Sequence, residues 1–154
     1  MTELETAIKI AFEATVGQKD HDGGEEILHP LSVMLKGETY QEKIVGVLHD
    51  VVEDNDEWTF ERLLDEGISE KCVNALMLLT HSDSLSYNQY VDKIVESGNM
   101  LAIKVKMNDL EHNISRNKRL DERQESVYQK HTKTLDRIKK KLAKDYELRG
   151  FNKG

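Results

Sequence analysis

The sequence predicts an all-α fold, a single-domain helical bundle that extends over residues 1–154. Apolar residues recur at intervals of three and four along most of the chain, which is the period of a helix with one buried face. No segment alternates polar and apolar residues for long enough to indicate a sheet. One proline and nine glycines give little of the turn punctuation that sandwiches and barrels show.

The first three predicted helices are set by their apolar spacing and by the residues at their ends. Residues 2–16 form the first, and a polar loop with a Gly-Gly pair follows it. Pro30 is expected to open the second helix, because proline suits the first helical position, and Gly37 ends it. The third helix is expected to follow Thr39, a residue type favoured as an N-cap, and to run without interruption through Asp54.

Five further helices are predicted in the rest of the chain. Thr59 and Gly67 bound a short one, and Gly98 separates two longer ones. The last predicted helix is the longest and carries one apolar stripe. The predicted ranges are 59–67, 69–81, 86–97, 100–114 and 121–146.

Composition limits the classes of function. A formal net charge of -7 disfavours a general nucleic-acid surface. The single cysteine, Cys72, excludes an internal disulfide and a multi-cysteine zinc site. Because no apolar segment resembles a signal peptide or a membrane span, we expect a soluble, cytoplasmic protein with no nucleic-acid or membrane partner. The oligomeric state is left open.

The segment "VGVLHDVVEDND", residues 45–56, places four ionisable groups among valines and leucines. On a continuous helix, His49, Glu53, Asp50 and Asp54 share one face within about 140° of arc, and the apolar residues occupy the other. Gly46 falls in the middle of the charged face, where it is expected to open space beside the carboxylates. Such a face is either a solvent-exposed polar stripe or the wall of a metal or phosphate pocket.

Two other segments favour the pocket. In "ILHP" the only proline fixes His29 at a helix cap, and in "KVKMNDLEHN" a narrow polar strip with Asp109 borders an apolar face. Two histidines and two aspartates from three helices make a mixed nitrogen and oxygen site. Such donors suit Mn²⁺, Fe²⁺ or Zn²⁺ better than Ca²⁺.

The order of these residues resembles the HD-domain phosphohydrolases: a lone His, then His-Asp followed by Glu-Asp, then a distant Asp. The segments "ILHPLSVM", "VLHDVVED" and "VKMNDLEHN" are similar to the RelA/SpoT-type branch, which includes small alarmone hydrolases that remove the 3′-pyrophosphate of (p)ppGpp. The resemblance covers nearly the whole chain. It implies an HD-type helical bundle, a divalent cofactor such as Mn²⁺ and a guanosine-type nucleotide substrate.

The resemblance also implies a role for each matching residue. Metal ligands would be His29, His49, Asp50 and Asp109. Water would be positioned and activated by Glu53 and Asp54. Asn113 would contact the nucleotide, and Lys106 and Tyr128 fall where further substrate contacts are expected. Lys19 does not match the family pattern, and it is a remaining candidate for a cation that binds the substrate phosphates.

Several residues depart from the family pattern, and all lie on the expected substrate side. Thr15 replaces a histidine, Lys19 follows Gln18 in place of an arginine, and Glu25-Glu26 replaces a Pro-Tyr pair. The metal chemistry is therefore expected to be intact, with weaker binding of (p)ppGpp. The alternatives are an HD phosphohydrolase for another nucleotide or phosphorylated metabolite, and a catalytically weak nucleotide-sensing module.

Overall fold

The computed structural model describes residues 1–148, and within them the chain forms nine α-helices and no strand. The prediction of an all-α fold is confirmed. Residues 149–154 of the predicted domain lie outside the described residues. The helices are α1 Glu3–Thr15, α2 Leu28–Lys36, α3 Tyr40–Leu48, α4 Val51–Asp54, α5 Phe60–Asp65, α6 Glu70–Leu79, α7 Tyr87–Glu96, α8 Met100–Arg116 and α9 Glu122–Leu148.

Side-chain caps fix most of these helix starts. The hydroxyl oxygens of Thr39, Thr59 and Ser69 each accept a hydrogen bond from a backbone N–H in the first turn of the helix that follows. Ser86 and Gln89 form a reciprocal capping box at the start of α7. These bonds satisfy N–H groups that have no partner inside the helix, so the caps define where each helix begins.

The predicted helix from Thr39 to Asp54 is wrong in one respect, because it is interrupted at the two residues of greatest interest. α3 ends at Leu48 and α4 begins at Val51, so His49 and Asp50 lie in a turn between them. The His49 ring Nδ1 lies 2.6 Å from the Gly46 carbonyl oxygen. That side-chain bond competes for a carbonyl that a continuous helix would give to the N–H four residues later.

The second helix begins earlier than Pro30. α2 starts at Leu28, and His29 and Pro30 lie buried in its first turn. Proline is tolerated there because the first N–H groups of a helix have no intrahelical acceptor. His29 is therefore held in a regular helix and not at a flexible cap.

α3 is the central element, and it packs against α1, α2, α6 and α8. Five consecutive residues of α3, from Ile44 to Leu48, are buried. Gly46 faces α2 and not the carboxylates: a Cβ atom there would lie 3.2 Å from the backbone N and Cα of Met34. The glycine therefore allows close approach of α2, which carries His29, and α3, which leads directly into the turn with His49 and Asp50.

No helix in the described part of the chain is long and apolar enough to cross a membrane.

Candidate metal centre

The structure brings together the four residues that the resemblance implies as metal ligands. His29 Nε2 lies 2.8 Å from Asp109 Oδ1, and His49 Nε2 lies 3.3 Å from the same oxygen and 3.1 Å from Asp50 Oδ2. One donor atom from each of His29, His49 and Asp50 lies within 4.8 Å of the others. Two helices, α2 and α8, and the turn between α3 and α4 thus converge on a volume the size of a coordination sphere.

His49 supplies the observation that favours a cation. Its Nδ1 faces the Gly46 carbonyl, which can only accept, so Nδ1 carries the proton and Nε2 of the neutral ring has a free lone pair. Nε2 is fully buried and forms no aligned hydrogen bond with the described residues, despite the two nearby carboxylate oxygens. A buried, unpaired nitrogen is costly unless a ligand occupies its lone pair. The donor set fits a divalent transition metal.

The electrostatics of the pocket also favour a bound cation. Burial opposes protonation of His49, yet the carboxylates of Asp50 and Asp109 raise its pKa well above the usual value. Burial likewise opposes ionisation of Asp109, but the Lys106 ammonium and His49 hold the pKa of that carboxyl well below its usual range. Two carboxylates therefore stay ionised in a buried pocket and attract positive charge, either a proton or a metal ion.

His112 belongs to this centre although the sequence did not single it out. Its Nδ1 lies 2.8 Å from Nδ1 of His29, on the side of that ring opposite Asp109. Burial, and then the neighbouring His29 ring, lower the pKa of His112 to about 4. The only sequence signal is its position three residues after Asp109, which places both on one face of α8.

Glu53, one of the two expected catalytic carboxylates, is fixed by a backbone group. Its Oε1 accepts a hydrogen bond of 2.7 Å from the N–H of His81, at the end of α6. The His81 ring packs on Tyr90, and its Nε2 lies 2.7 Å from the Leu85 carbonyl oxygen, so this loop is itself held in place. Glu53 therefore faces the metal pocket with one oxygen anchored and the other available.

Asp54 lines a different cavity from the one that Glu53 and His81 line. Partial burial, followed by the charges of Asp50, Glu53 and Glu26, raises its pKa to about 6. A carboxyl with such a pKa changes protonation state near neutral pH, as a general acid or base must. The two expected catalytic carboxylates thus differ in environment: one is anchored by a backbone N–H, and the other is surrounded by acids.

A small cavity of about 220 Å³ adjoins the cluster on the Glu53 side. Metal-site residues form one wall, and Lys106, Lys130 and Tyr87 lie among the others. Lys106 is buried and paired with Asp109 Oδ2 at 3.1 Å. Lys130 Nζ lies 4.0 Å from the centre of the Tyr87 ring, and it forms no ion pair within the part of the chain that the structure describes. Lys130 is therefore a cation that is available to a ligand.

A wider cavity of about 690 Å³ lies on the Asp54 side. Asn113 connects it to the metal pocket, since its Nδ2 donates to Asp109 Oδ1 at 3.1 Å while Arg116 Nη2 donates to its Oδ1 at 2.8 Å. Lys19 lies on the loop that forms the opposite wall, which is held to α8 and α9 by ion pairs of Asp20 and Asp22. This cavity has the volume of a typical small-molecule site.

The four expected substrate contacts do not share one cavity. Lys19 and Asn113 line the wider one, and Lys106 lines the small one. Tyr128 lines neither of these two cavities; its ring packs against Arg119 with the guanidinium carbon 4.1 Å from the ring centre. Its role as a substrate contact therefore stays a prediction without support from this geometry.

Comparisons with known proteins agree with this architecture. No family model matches the chain. It is 44% identical over 64 residues to the "Putative GTP diphosphokinase RSH1, chloroplastic" of Oryza sativa subsp. japonica, and 39% identical over 67 residues to the protein of the same name from Arabidopsis thaliana. These stretches are 39% and 41% of this chain but only 7% and 8% of those proteins.

A solved structure matches almost the entire chain. It is described as "A metazoan ortholog of SpoT hydrolyzes ppGpp and plays a role in starvation responses", and it superposes with a TM-score of 0.70 at 17% identity over 97% of both chains. The resemblance to RelA/SpoT-type proteins is thus confirmed, and a likeness at this identity establishes the fold. The chain resembles RelA/SpoT homologues in part of its sequence, and it has the all-α fold of a SpoT-type ppGpp hydrolase.

Proposed function

We propose that this protein is a metal-dependent phosphohydrolase that removes the 3′-pyrophosphate of (p)ppGpp. The observation that carries the proposal is the buried, unpaired Nε2 of His49, which lies beside the carboxylates of Asp50 and Asp109. His29 completes the candidate ligand set, and Mn²⁺ is the ion that we favour among the divalent transition metals. The fold shared with a protein described as hydrolysing ppGpp supports the choice of substrate.

Each acidic or basic residue around the proposed metal has a separate role in the reaction. When bound, a divalent ion would offset phosphate charge and lower the pKa of water in the pocket. Glu53, anchored by the His81 N–H, is placed to accept the proton of the attacking water. Asp54, with a pKa of about 6, is placed to hold or return a proton on the other side. Lys106 keeps Asp109 ionised.

The two cavities suggest how the substrate lies across the centre. The wider cavity, with Lys19, Asn113 and Arg116, has room for the nucleoside and its 5′-phosphates. The small cavity is suited to the 3′-pyrophosphate, because Lys106 and Lys130 supply positive charge there. On this arrangement the pyrophosphate leaves as one unit on the Glu53 side.

A second candidate function is hydrolysis of another phosphorylated nucleotide. Four carboxylates line the wider cavity, and two of them already pair with Arg116 and Arg123. These pairs and the acid Glu26 oppose the binding of a highly charged ligand. They favour a substrate with fewer 5′-phosphates than ppGpp.

The remaining expectations also stand as proposals. The single hydrolase domain over residues 1–154 is supported by a match over 97% of the neighbour's chain. The proposed lack of a nucleic-acid partner follows from the acidic composition. The proposed cytoplasmic location without a membrane partner follows from the sequence, in which no apolar segment resembles a signal peptide or a membrane span.

A metal-supplemented screen with product identification tests the function. Purified protein with Mn²⁺ is incubated with ppGpp, pppGpp, GTP and 3′-phosphorylated nucleotides, and the products are separated by ion-exchange chromatography. We expect GDP and intact pyrophosphate from ppGpp. Release of inorganic phosphate alone, or cleavage of a different nucleotide while ppGpp stays intact at millimolar concentration, contradicts the assigned substrate.

Two variants separate metal binding from catalysis. His49→Ala should remove both bound Mn²⁺ and turnover, because it deletes the unpaired donor. Glu53→Gln keeps the shape of the side chain, so it should retain Mn²⁺ while turnover falls by roughly 10²-fold or more. Full Mn²⁺ content in His49→Ala would rule out the ligand set, and unchanged turnover in Glu53→Gln would move the catalytic role to Asp54. If both variants bind nucleotide like the parent and none of the three turns it over, the sensing module is favoured.

A further inference from the structure

We propose that His112 is a positioning residue for the metal centre: its Nδ1 accepts a hydrogen bond from Nδ1–H of His29 and thereby holds His29 in the tautomer whose Nε2 can bind a metal ion. The inference rests on the metal centre proposed above. It assigns a function to a side chain that lies outside the ligand set.

The contact between the two rings has the geometry of an N–H···N hydrogen bond. The two Nδ1 atoms are 2.8 Å apart. The ring centres are 5.0 Å apart and the ring planes are inclined by 23°. Because the two nitrogens are much closer than the ring centres, they lie between the rings and the ring edges face each other. The contact is therefore an edge-to-edge hydrogen bond and not a face-to-face stack.

In each candidate histidine ligand, the hydrogen-bond partner on the side away from the metal volume determines which ring nitrogen carries the proton. Nδ1 of His49 faces the Gly46 carbonyl, an atom that can only accept, so the backbone fixes that tautomer. The Nε2 atom of His29 points at Asp109 and at the metal volume, so its Nδ1 must carry the proton if Nε2 is to bind a metal. The only group at that Nδ1, within the described part of the chain, is His112.

This difference makes the two ligands unequal. A backbone carbonyl cannot be removed by substitution, whereas a side-chain acceptor can. Without an acceptor at His112, the His29 proton is stabilised on Nε2, where Asp109 Oδ1 lies 2.8 Å away and accepts it. A metal ion would then have to displace that proton before binding. Outer partners of this kind change metal affinity by about 10- to 100-fold.

Three variants of His112 distinguish acceptance at one atom from a general structural role. The amide oxygen of Asn is about as far from the backbone as Nδ1 of histidine is, so Asn can supply an acceptor at that place. The amide of Gln reaches the position of Nε2 instead, and Leu has no acceptor. Mn²⁺ affinity is measured by titration calorimetry at pH 8, where an unperturbed imidazole is neutral. Urea unfolding of the metal-free proteins provides the comparison of stability.

We expect His112→Leu and His112→Gln to bind Mn²⁺ about 10- to 100-fold more weakly than the parent, and His112→Asn to recover most of the affinity. The metal-free stabilities of the three variants should not follow this order. Equal Mn²⁺ affinity in all three variants and the parent overturns the role of His112 but leaves the metal centre intact. A parent chain that binds no divalent metal overturns both.

Discussion

Asp54→Asn should stabilise the metal-free protein at alkaline pH while it impairs catalysis. Folding raises the pKa of this carboxyl from its ordinary value to about 6, through burial and the charges of Asp50, Glu53 and Glu26. A rise of about two pKa units corresponds to roughly 3 kcal/mol of unfavourable free energy for the ionised form. Because the side chain is exposed and screened by solvent, we expect about 1 kcal/mol of this to be measurable.

The sign of the pH dependence follows from the raised pKa. Above about pH 6 the carboxylate is ionised in both states, and the folded state bears the full penalty. As the pH falls through 6 the folded state takes up a proton first, so the penalty disappears towards pH 4. The asparagine variant should therefore gain stability at pH 8 and lose that advantage at pH 4.5.

Urea unfolding in the presence of EDTA measures this effect. With a slope of about 2 kcal/mol/M for a domain of this size, the midpoint at pH 8 should rise by about 0.5 M. Asp56→Asn, two residues along the chain and also exposed, controls for the removal of one negative charge. An equal rise in both variants, or a rise for Asp54→Asn that persists at pH 4.5, would refute the argument.

Two further predictions concern the small cavity and the helix contact. Lys130→Ala should raise the inhibition constant of inorganic pyrophosphate about tenfold or more and leave that of GDP nearly unchanged, because a charge-assisted contact is lost in the small cavity only. Lys133→Ala, at an exposed position of α9, is the control. Parallel changes for both ligands would contradict the proposed arrangement of the substrate. Gly46→Ala should destabilise the metal-free protein by about 1 kcal/mol in urea, since the cost of overpacking against the Met34 backbone at 3.2 Å exceeds the gain in helix propensity of about 1 kcal/mol. A variant at least as stable as the parent would show that the overpacking costs no more than this gain, which contradicts the prediction.

The proximity of the four candidate metal ligands could be predicted from the sequence because the proposed chemistry depends on residue type and order. His29, His49, Asp50 and Asp109 are histidines and aspartates beside apolar positions, and a motif preserves that information whatever the exact helix boundaries. The same reasoning misplaced Gly46, because the helical wheel assumed one continuous helix. A bond from the His49 ring to a backbone carbonyl breaks that helix, and propensity contains no term for such a contact.

Other parts of the site depend on contacts between distant segments. The hydrogen bond from the His81 N–H to Glu53 joins residues 28 positions apart. Its donor is a backbone group that nearly every residue type has, so the sequence does not indicate it. His112 resembles any other half-buried histidine until α2 is placed against α8. Tyr128 stays a prediction, since its residue type suits contact with a base but its ring packs against Arg119.

If the proposed metal centre binds its ion, the span of chain that it joins makes metal supply a factor in protein lifetime. His29 and Asp109 are 80 residues apart in sequence, so an ion held between them would close a loop through more than half of the chain. In the unfolded chain these ligands are far apart, and the entropy cost of bringing them together grows with the logarithm of the loop length, so the ion would bind the folded chain only. At one hundred times its dissociation constant a bound ion adds about 2.7 kcal/mol of stability. A cell short of that ion would hold more of this protein in open forms, which proteases degrade before the enzyme meets its substrate.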